Sequence, residues 1–171
     1  MNRIKPLDKT PSTTVELLPG GQTDLSAWTQ ARFKIIFFYR GYHCPVCRLY
    51  LHDIQVKLND FRQMNIEVIA VSCDTAERAA LARDEWHMPD LTIGYGMDPD
   101  SAREWGLYLS DGRGNLEPDL FSEPGIFILN SDGTLYASVI QTMPFSRPSI
   151  EQLVKDMRYI IENDYPPRGT H

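Results

Sequence analysis

Residues 33–51 read FKIIFFYRGYHCPVCRLYL: a dense apolar run, a short turn carrying two cysteines, and an amphipathic pattern that starts behind the second of them. Residues 35–39 show no polar alternation, as expected of a strand covered on both faces in a parallel sheet. Val46, Tyr50, Ile54, Leu58 and Phe61 follow at intervals of three or four and predict a helix with one apolar face. Pro45 suits its first turn, because a proline there gives up only an N–H that lacks an intrahelical partner. Strand, CxxC and helix in immediate succession constrain the chain to an α/β architecture.

The rest of the chain agrees. Residues 66–71 form a second buried-strand run, and Asp74-x-x-Glu77 reads as a capping box opening a helix to about Trp86, stopped by Met88-Pro89. Residues 91–95 predict a short strand. Asp98-Pro99 then opens a helix to about Trp105, with Asp98 as cap and the proline at the first helical position. Two strands, 125–129 and 135–140, are joined through Asp132-Gly133 as a hairpin. A final helix carries Ile150, Leu153, Val154, Met157 and Ile161 on one face. This order calls for a mixed sheet flanked by helices in a single domain over residues 1–171, with parallel strands from crossovers and an antiparallel hairpin at one edge. Residues 1–14 are expected to form a loose arm, followed by a short strand at 15–18 and a short strand or helical turn at 23–28. Residues 106–122 have no period and are expected to form a substrate-facing lid.

The net charge of −6 and a pI near 5.2 argue against a nucleic-acid or anionic-membrane partner. No apolar stretch reaches the length of a membrane helix, and the N-terminus lacks the apolar segment of a signal peptide, so a cytoplasmic protein is expected. Three cysteines, two of them as CxxC, do not make a disulfide framework; in a reducing compartment they read as redox or metal chemistry.

A cysteine at a helix start faces the positive end of the peptide dipoles and unpaired backbone N–H groups, both of which favour the thiolate. The i, i+3 spacing places Cys44 and Cys47 on one face of the first turn, close enough for a disulfide. One sulfur then attacks a disulfide or peroxide while the other resolves the product. The competing reading is a structural zinc site, which needs four ligands. Its candidates are Cys44, Cys47, His43 and His52, with Cys73 and His87 further off, and no second CxxC or HxxxH is present. No metal and no cofactor are expected.

On these residues, from about 15 to 164, the chain resembles the thioredoxin superfamily, within it the peroxiredoxin-like branch related to alkyl hydroperoxide reductase and thiol-specific antioxidant proteins. The segments that carry the resemblance are FKIIFFYRG, the cysteine turn, IEVIAVSCD, DPDSAREWGL and PGIFILNSDGTLY. The resemblance implies a thioredoxin fold with an N-terminal extension and an extra strand–helix insertion. It also implies antioxidant or peroxide-reducing activity, a cellular thiol reductant as partner, and compatibility with a homodimer. The family's Pro-x-x-x-Thr/Ser-x-x-Cys places the peroxidatic position on Cys47, the hydroxyl position on Cys44 and the proline position on Arg40. Pro124 stands where the family's arginine precedes the late strand.

Those replacements resemble thioredoxin. YHCPVC is similar to its WCxxC pattern, with His43 in the tryptophan position, and Pro124 matches the proline that adopts a cis peptide bond facing the cysteines. Thioredoxin logic makes Cys44 the attacking sulfur; peroxiredoxin logic makes it Cys47. The expectation is a thiol–disulfide oxidoreductase cycling through a Cys44–Cys47 disulfide, with a protein or small-molecule disulfide, or a peroxide, as substrate. A peroxidase acting through Cys47 and a non-catalytic zinc or redox-sensing module are the alternatives. His43 either tunes the neighbouring thiolate or is an aromatic flank, Arg40 is a candidate thiolate stabiliser, and Cys73 is expected to be buried and inert rather than exchanging with the pair.

Overall fold

The computed structural model describes residues 4–171. In chain order the strands and helices are β1 (Thr14–Leu17), β2 (Gln22–Asp24), β3 (Phe33–Phe38), α1 (Pro45–Gln63), β4 (Ile66–Val71), α2 (Ala76–Glu85), β5 (Thr92–Tyr95), α3 (Pro99–Glu104), β6 (Leu109–Asp111), β7 (Leu120–Ser122), β8 (Gly125–Asn130), β9 (Leu135–Ile140) and α4 (Ile150–Glu162). Seven strands form one mixed sheet in the order β2-β1-β5-β4-β3-β8-β9. β3 runs parallel to β4 and β4 to β5, while β8 is antiparallel to β3 and β9 to β8. The expected parallel crossovers and hairpin edge are therefore present.

The strand β3 is buried at all six positions, and its side chains alternate between two cores. Ile35, Phe37 and Tyr39 pack with α1, α2 and α4, while Ile36 and Phe38 pack with Ala102 and Trp105 on the α3 side. Alternation along a strand buried on both faces explains why the run shows no polar period. In α1 the buried face is Cys47, Leu51, Ile54, Leu58 and Phe61. At its start this face is offset by one residue from the sequence expectation, which used Val46 and Tyr50, because Cys47 itself points into the core.

Three expectations are corrected. The described part of the N-terminal arm is fastened to the sheet: Leu7 N–H donates to Leu135 O at 2.7 Å, Leu135 N–H to Asp8 O at 2.9 Å, and Trp105 Nε1–H to Thr13 Oγ1 at 2.9 Å. Residues 1–3 of that arm lie outside the described residues. The hydroxyls of Thr10 and Thr13 supply buried polar contacts that a reading of the arm as merely polar overlooks. Asp74 is not the cap of α2. Thr75 is, accepting from Arg78 N–H, and Asp74 is fully buried elsewhere. Residues 106–122 are partly regular: β6 and β7 pair as an antiparallel hairpin around a 3-10 turn at Gly114–Leu116. Strands of three residues are too short to show a period. Asp98, by contrast, caps α3 as expected, accepting from Asp100 N–H at 2.7 Å. Among the described residues no helix is long and apolar enough to cross a membrane.

Candidate active site

The parallel strands β3 and β4 end at the same edge, where open α/β sheets place their sites. From there the chain turns through Gly41 and Tyr42 into α1. Gly41 has φ +128°, and a Cβ on it would meet the Asp74 carboxylate at 2.7 Å, so the turn requires glycine. That carboxylate accepts the Tyr42 N–H at 2.7 Å and Arg78 Nε–H at 2.8 Å. Arg78 in turn donates to Leu116 O at 3.1 Å, joining the cysteine turn to the excursion over residues 106–122.

Cys44 is the N-cap of α1. Its sulfur accepts the Cys47 N–H at 3.3 Å, and Pro45 follows at the first helical position. Both cysteines are reduced and buried. Cys44 is therefore less exposed than its place at a helix start leads one to expect. The two sulfurs sit in unequal fields. The Cys47 thiol donates to the Cys44 sulfur, the Cys47 N–H adds a second hydrogen bond, and the charges of Arg40 and Arg147 assist. Together they bring Cys44 down to about 6 against the opposing effect of burial. Burial, followed by the adjoining Cys44 sulfur, pushes Cys47 well up.

Arg147 had no signal in the spacing of the sequence. It lies in the segment between β9 and α4, a hundred residues from the cysteines, and its Nη2–H donates to Cys47 Sγ at 3.4 Å. Its guanidinium lies 5.5 Å from the Tyr50 ring centroid, and its Nε–H donates to Pro144 O at 2.9 Å. A positive charge on Cys47 favours the thiolate there, but burial and the neighbouring sulfur are the larger effects. Met143 and Phe145, in the same segment, are exposed apolar residues.

His43 packs edge-on to Phe121 of β7, with centroids 4.7 Å apart, and neither ring nitrogen has a hydrogen-bond partner. Burial lowers its pKa, so it is an uncharged aromatic flank at neutral pH. Arg40 lies over that ring, 4.9 Å from its centroid, and 3.4 Å from the buried Glu123 carboxylate. The excursion thus does cover the cysteine turn, through Phe121. Pro124 is buried but not cis; the cis bond among the described residues is Leu18–Pro19. Pro124 continues the extended chain from β7 into β8, a strand-entry position where no N–H is required, and its carbonyl accepts Gln141 N–H at 3.1 Å.

Cys73 is half-buried and packs on the α3 side of the sheet, whereas Cys44 and Cys47 belong to the opposite core. Among the described residues, no group of three or more His, Cys, Asp or Glu is arranged to hold a metal ion.

A thiol pair at a strand–helix junction of this mixed sheet is the arrangement of a thioredoxin-fold protein. The model of the AhpC/TSA family matches residues 6–138, and the chain belongs to that family. It is similar to the Mycobacterium tuberculosis protein named Putative peroxiredoxin MT2597, 31% identical over 108 residues, 62% of this chain and 66% of the relative. Just under two thirds of that relative's length is therefore spanned. Among solved structures, peroxidoxin BcpB of Mycobacterium tuberculosis superposes with a TM-score of 0.73 at 16% identity, covering 92% of this chain and 99% of its own. Peroxiredoxin 6 of Arenicola marina gives 0.78 at 16% identity, covering 95% and 76%. AhpC of Enterococcus faecalis gives 0.73 at 20% identity, covering 96% and 97%. These likenesses show the shared fold.

Proposed function

We propose that this protein is a thiol oxidoreductase in which Cys44 attacks and Cys47 resolves. The observation that carries the reading is the place of Cys44 as N-cap of α1, its sulfur accepting the Cys47 N–H at 3.3 Å, which fits the opposite displacement of the two thiols, Cys44 down to about 6 and Cys47 up. At neutral pH one sulfur is then a thiolate ready to attack, and the other keeps its proton until a mixed disulfide forms. Attack on a substrate disulfide joins one substrate sulfur to Cys44 and expels the other as a thiolate. Cys47 then gives up its proton and attacks the Cys44 sulfur. The Cys44–Cys47 bond forms, the second substrate thiolate leaves, and the substrate has gained two electrons. A cellular thiol reductant returns the pair to its dithiol. The family relation supports peroxides as a second substrate class, in a cytoplasmic setting. The test is insulin-disulfide reduction with disulfide mapping after oxidation. A mapped Cys44–Cys47 bond and loss of turnover in Cys44→Ser are expected. No such bond, with unchanged turnover, rejects the assignment.

One observation favours a second reading. Arg147 touches Cys47 rather than Cys44, as needed if Cys47 is the sulfur that peroxide oxidises. There the thiolate and a proton convert ROOH to ROH, leaving a sulfenic acid that Cys44 condenses to the disulfide with release of water. Rapid sulfenic acid formation at Cys47 in Cys44→Ser supports this order; oxidation no faster than that of a free thiol rejects it.

A further inference from the structure

Glu123 is a buried carboxylate that the proposed cycle leaves unused. It sits between β7 and β8 and is 6% exposed. Its Oε1 accepts Ser110 Oγ–H at 2.6 Å, which fixes the carboxylate from the β6 side. Its Oε2 lies 3.4 Å from Arg40 Nε, yet neither atom completes a hydrogen bond. Arg40 itself lies over the Phe121 ring and is only about one fifth exposed. An ion pair in that setting is strong because little water screens it, and it keeps the guanidinium from turning fully towards another anion. The other anion is at hand: Arg40 lies four residues before Cys44 in the same turn, and its charge reaches that sulfur. One cation is thus shared by a fixed carboxylate and a sulfur whose charge changes during the reaction.

We infer that Glu123 is a positioning residue that holds the Arg40 guanidinium in part away from Cys44, and so sets how much thiolate Cys44 carries. The inference rests on the reading of Cys44 as the attacking sulfur. The groups that face the turn are Arg40, His43, Cys47, Glu117 from the segment between β6 and β7, Arg147 from the segment before α4, and Asp74 and Arg78 from the segment after β4. Arg40 alone among them is ion-paired to Glu123. Loss of the carboxylate therefore acts in one direction, leaving Arg40 wholly to the sulfur.

The measurement is the pH dependence of Cys44 alkylation by iodoacetamide in the reduced full chain, resolved by peptide mass spectrometry. Glu123→Gln is expected to move the midpoint down by about 0.5–1 pH unit. Arg40→Gln is expected to move it up, and adding Glu123→Gln to Arg40→Gln to produce less than half of the single-variant shift. Glu123→Asp keeps the charge but draws it back, so it gives a smaller downward shift and serves if Glu123→Gln does not fold. An unchanged or raised midpoint in the Glu123 variants overturns the inference, and so does a full-sized shift in the Arg40→Gln background. Failure of Cys44 as nucleophile is read separately, from the disulfide map and the Cys44→Ser turnover.

Discussion

The reactivity of the pair depends on which proton each sulfur keeps. With Cys44 at about 6, its alkylation rate should climb through that pH and level off by pH 7.5, while Cys47 stays unreactive across the same range; site-resolved alkylation checks both. Stability follows from the same displacements. A thiol whose pKa falls on folding stabilises the fold above its unfolded value, and that contribution is lost as pH falls towards the folded value. The reduced protein should therefore gain stability from about pH 6 towards the ordinary thiol range near 9. Beyond that range the raised Cys47 acts oppositely, because the unfolded chain releases a proton that the folded one retains. Urea midpoints of the reduced protein at pH 6, 9 and 10.5 test the sequence of signs, a rise to pH 9 and a fall beyond it. Arg147→Ala removes a charge that both sulfurs feel, so Cys44 should become less acidic by about half a pH unit, slowing its alkylation about twofold at pH 6. The same variant should leave the far-ultraviolet spectrum unchanged, since Arg147 lies outside the helices and strands.

At the level of elements, the turn between β3 and α1 is held by one carboxylate. Asp74 satisfies the Tyr42 N–H, pairs with Arg78 and occupies the space that a side chain at position 41 would need. Asp74→Ala should cost about 3 kcal/mol, because it leaves a partly buried guanidinium and a backbone N–H without their acceptor. Gly41→Ala should cost about 1–3 kcal/mol, from the unfavourable φ and the contact with the carboxylate; denaturant unfolding measures both. Much of this region was legible in sequence. The apolar run over β3, the apolar spacing of α1 and the proline behind Cys44 all report local preferences, and local preferences are what periodicity records. Asp74 was misread because a capping box uses the same residue types as a buried ion pair, and only the fold decides between them. Arg147 and Glu123 were missed for a related reason. Each reaches the cysteine turn across the sheet edge from a distant segment, and nothing in the neighbouring residues marks that approach. Pro124 shows the converse: its sequence position suggested a cis turn, but continuous extended chain from β7 into β8 favours the trans form.

Across the whole molecule, the described N-terminal segment closes the sheet at β9. Backbone hydrogen bonds at residues 7–10 cover the start of an edge strand that would otherwise present free N–H and C=O groups, and Thr13 Oγ1 accepts the Trp105 indole N–H. Deleting residues 1–13 should destabilise the protein by about 2–4 kcal/mol, from several lost hydrogen bonds and an orphaned indole N–H, and should raise light scattering on heating. Thermal unfolding followed by scattering and circular dichroism reads both effects. The arm was taken for loose because its residues are polar, yet polar residues are what an exposed sheet edge can pair with. One earlier detail links the chemistry to this architecture. The sulfur that is proposed to react is also the acceptor that closes the first turn of α1, and α1 packs on β4 and α4. Engaging that sulfur in a covalent bond alters its strength as an acceptor for the Cys47 amide. Hydrogen exchange at that single amide should thus act as an intrinsic gauge of the oxidation state, readable in the intact chain without a substrate.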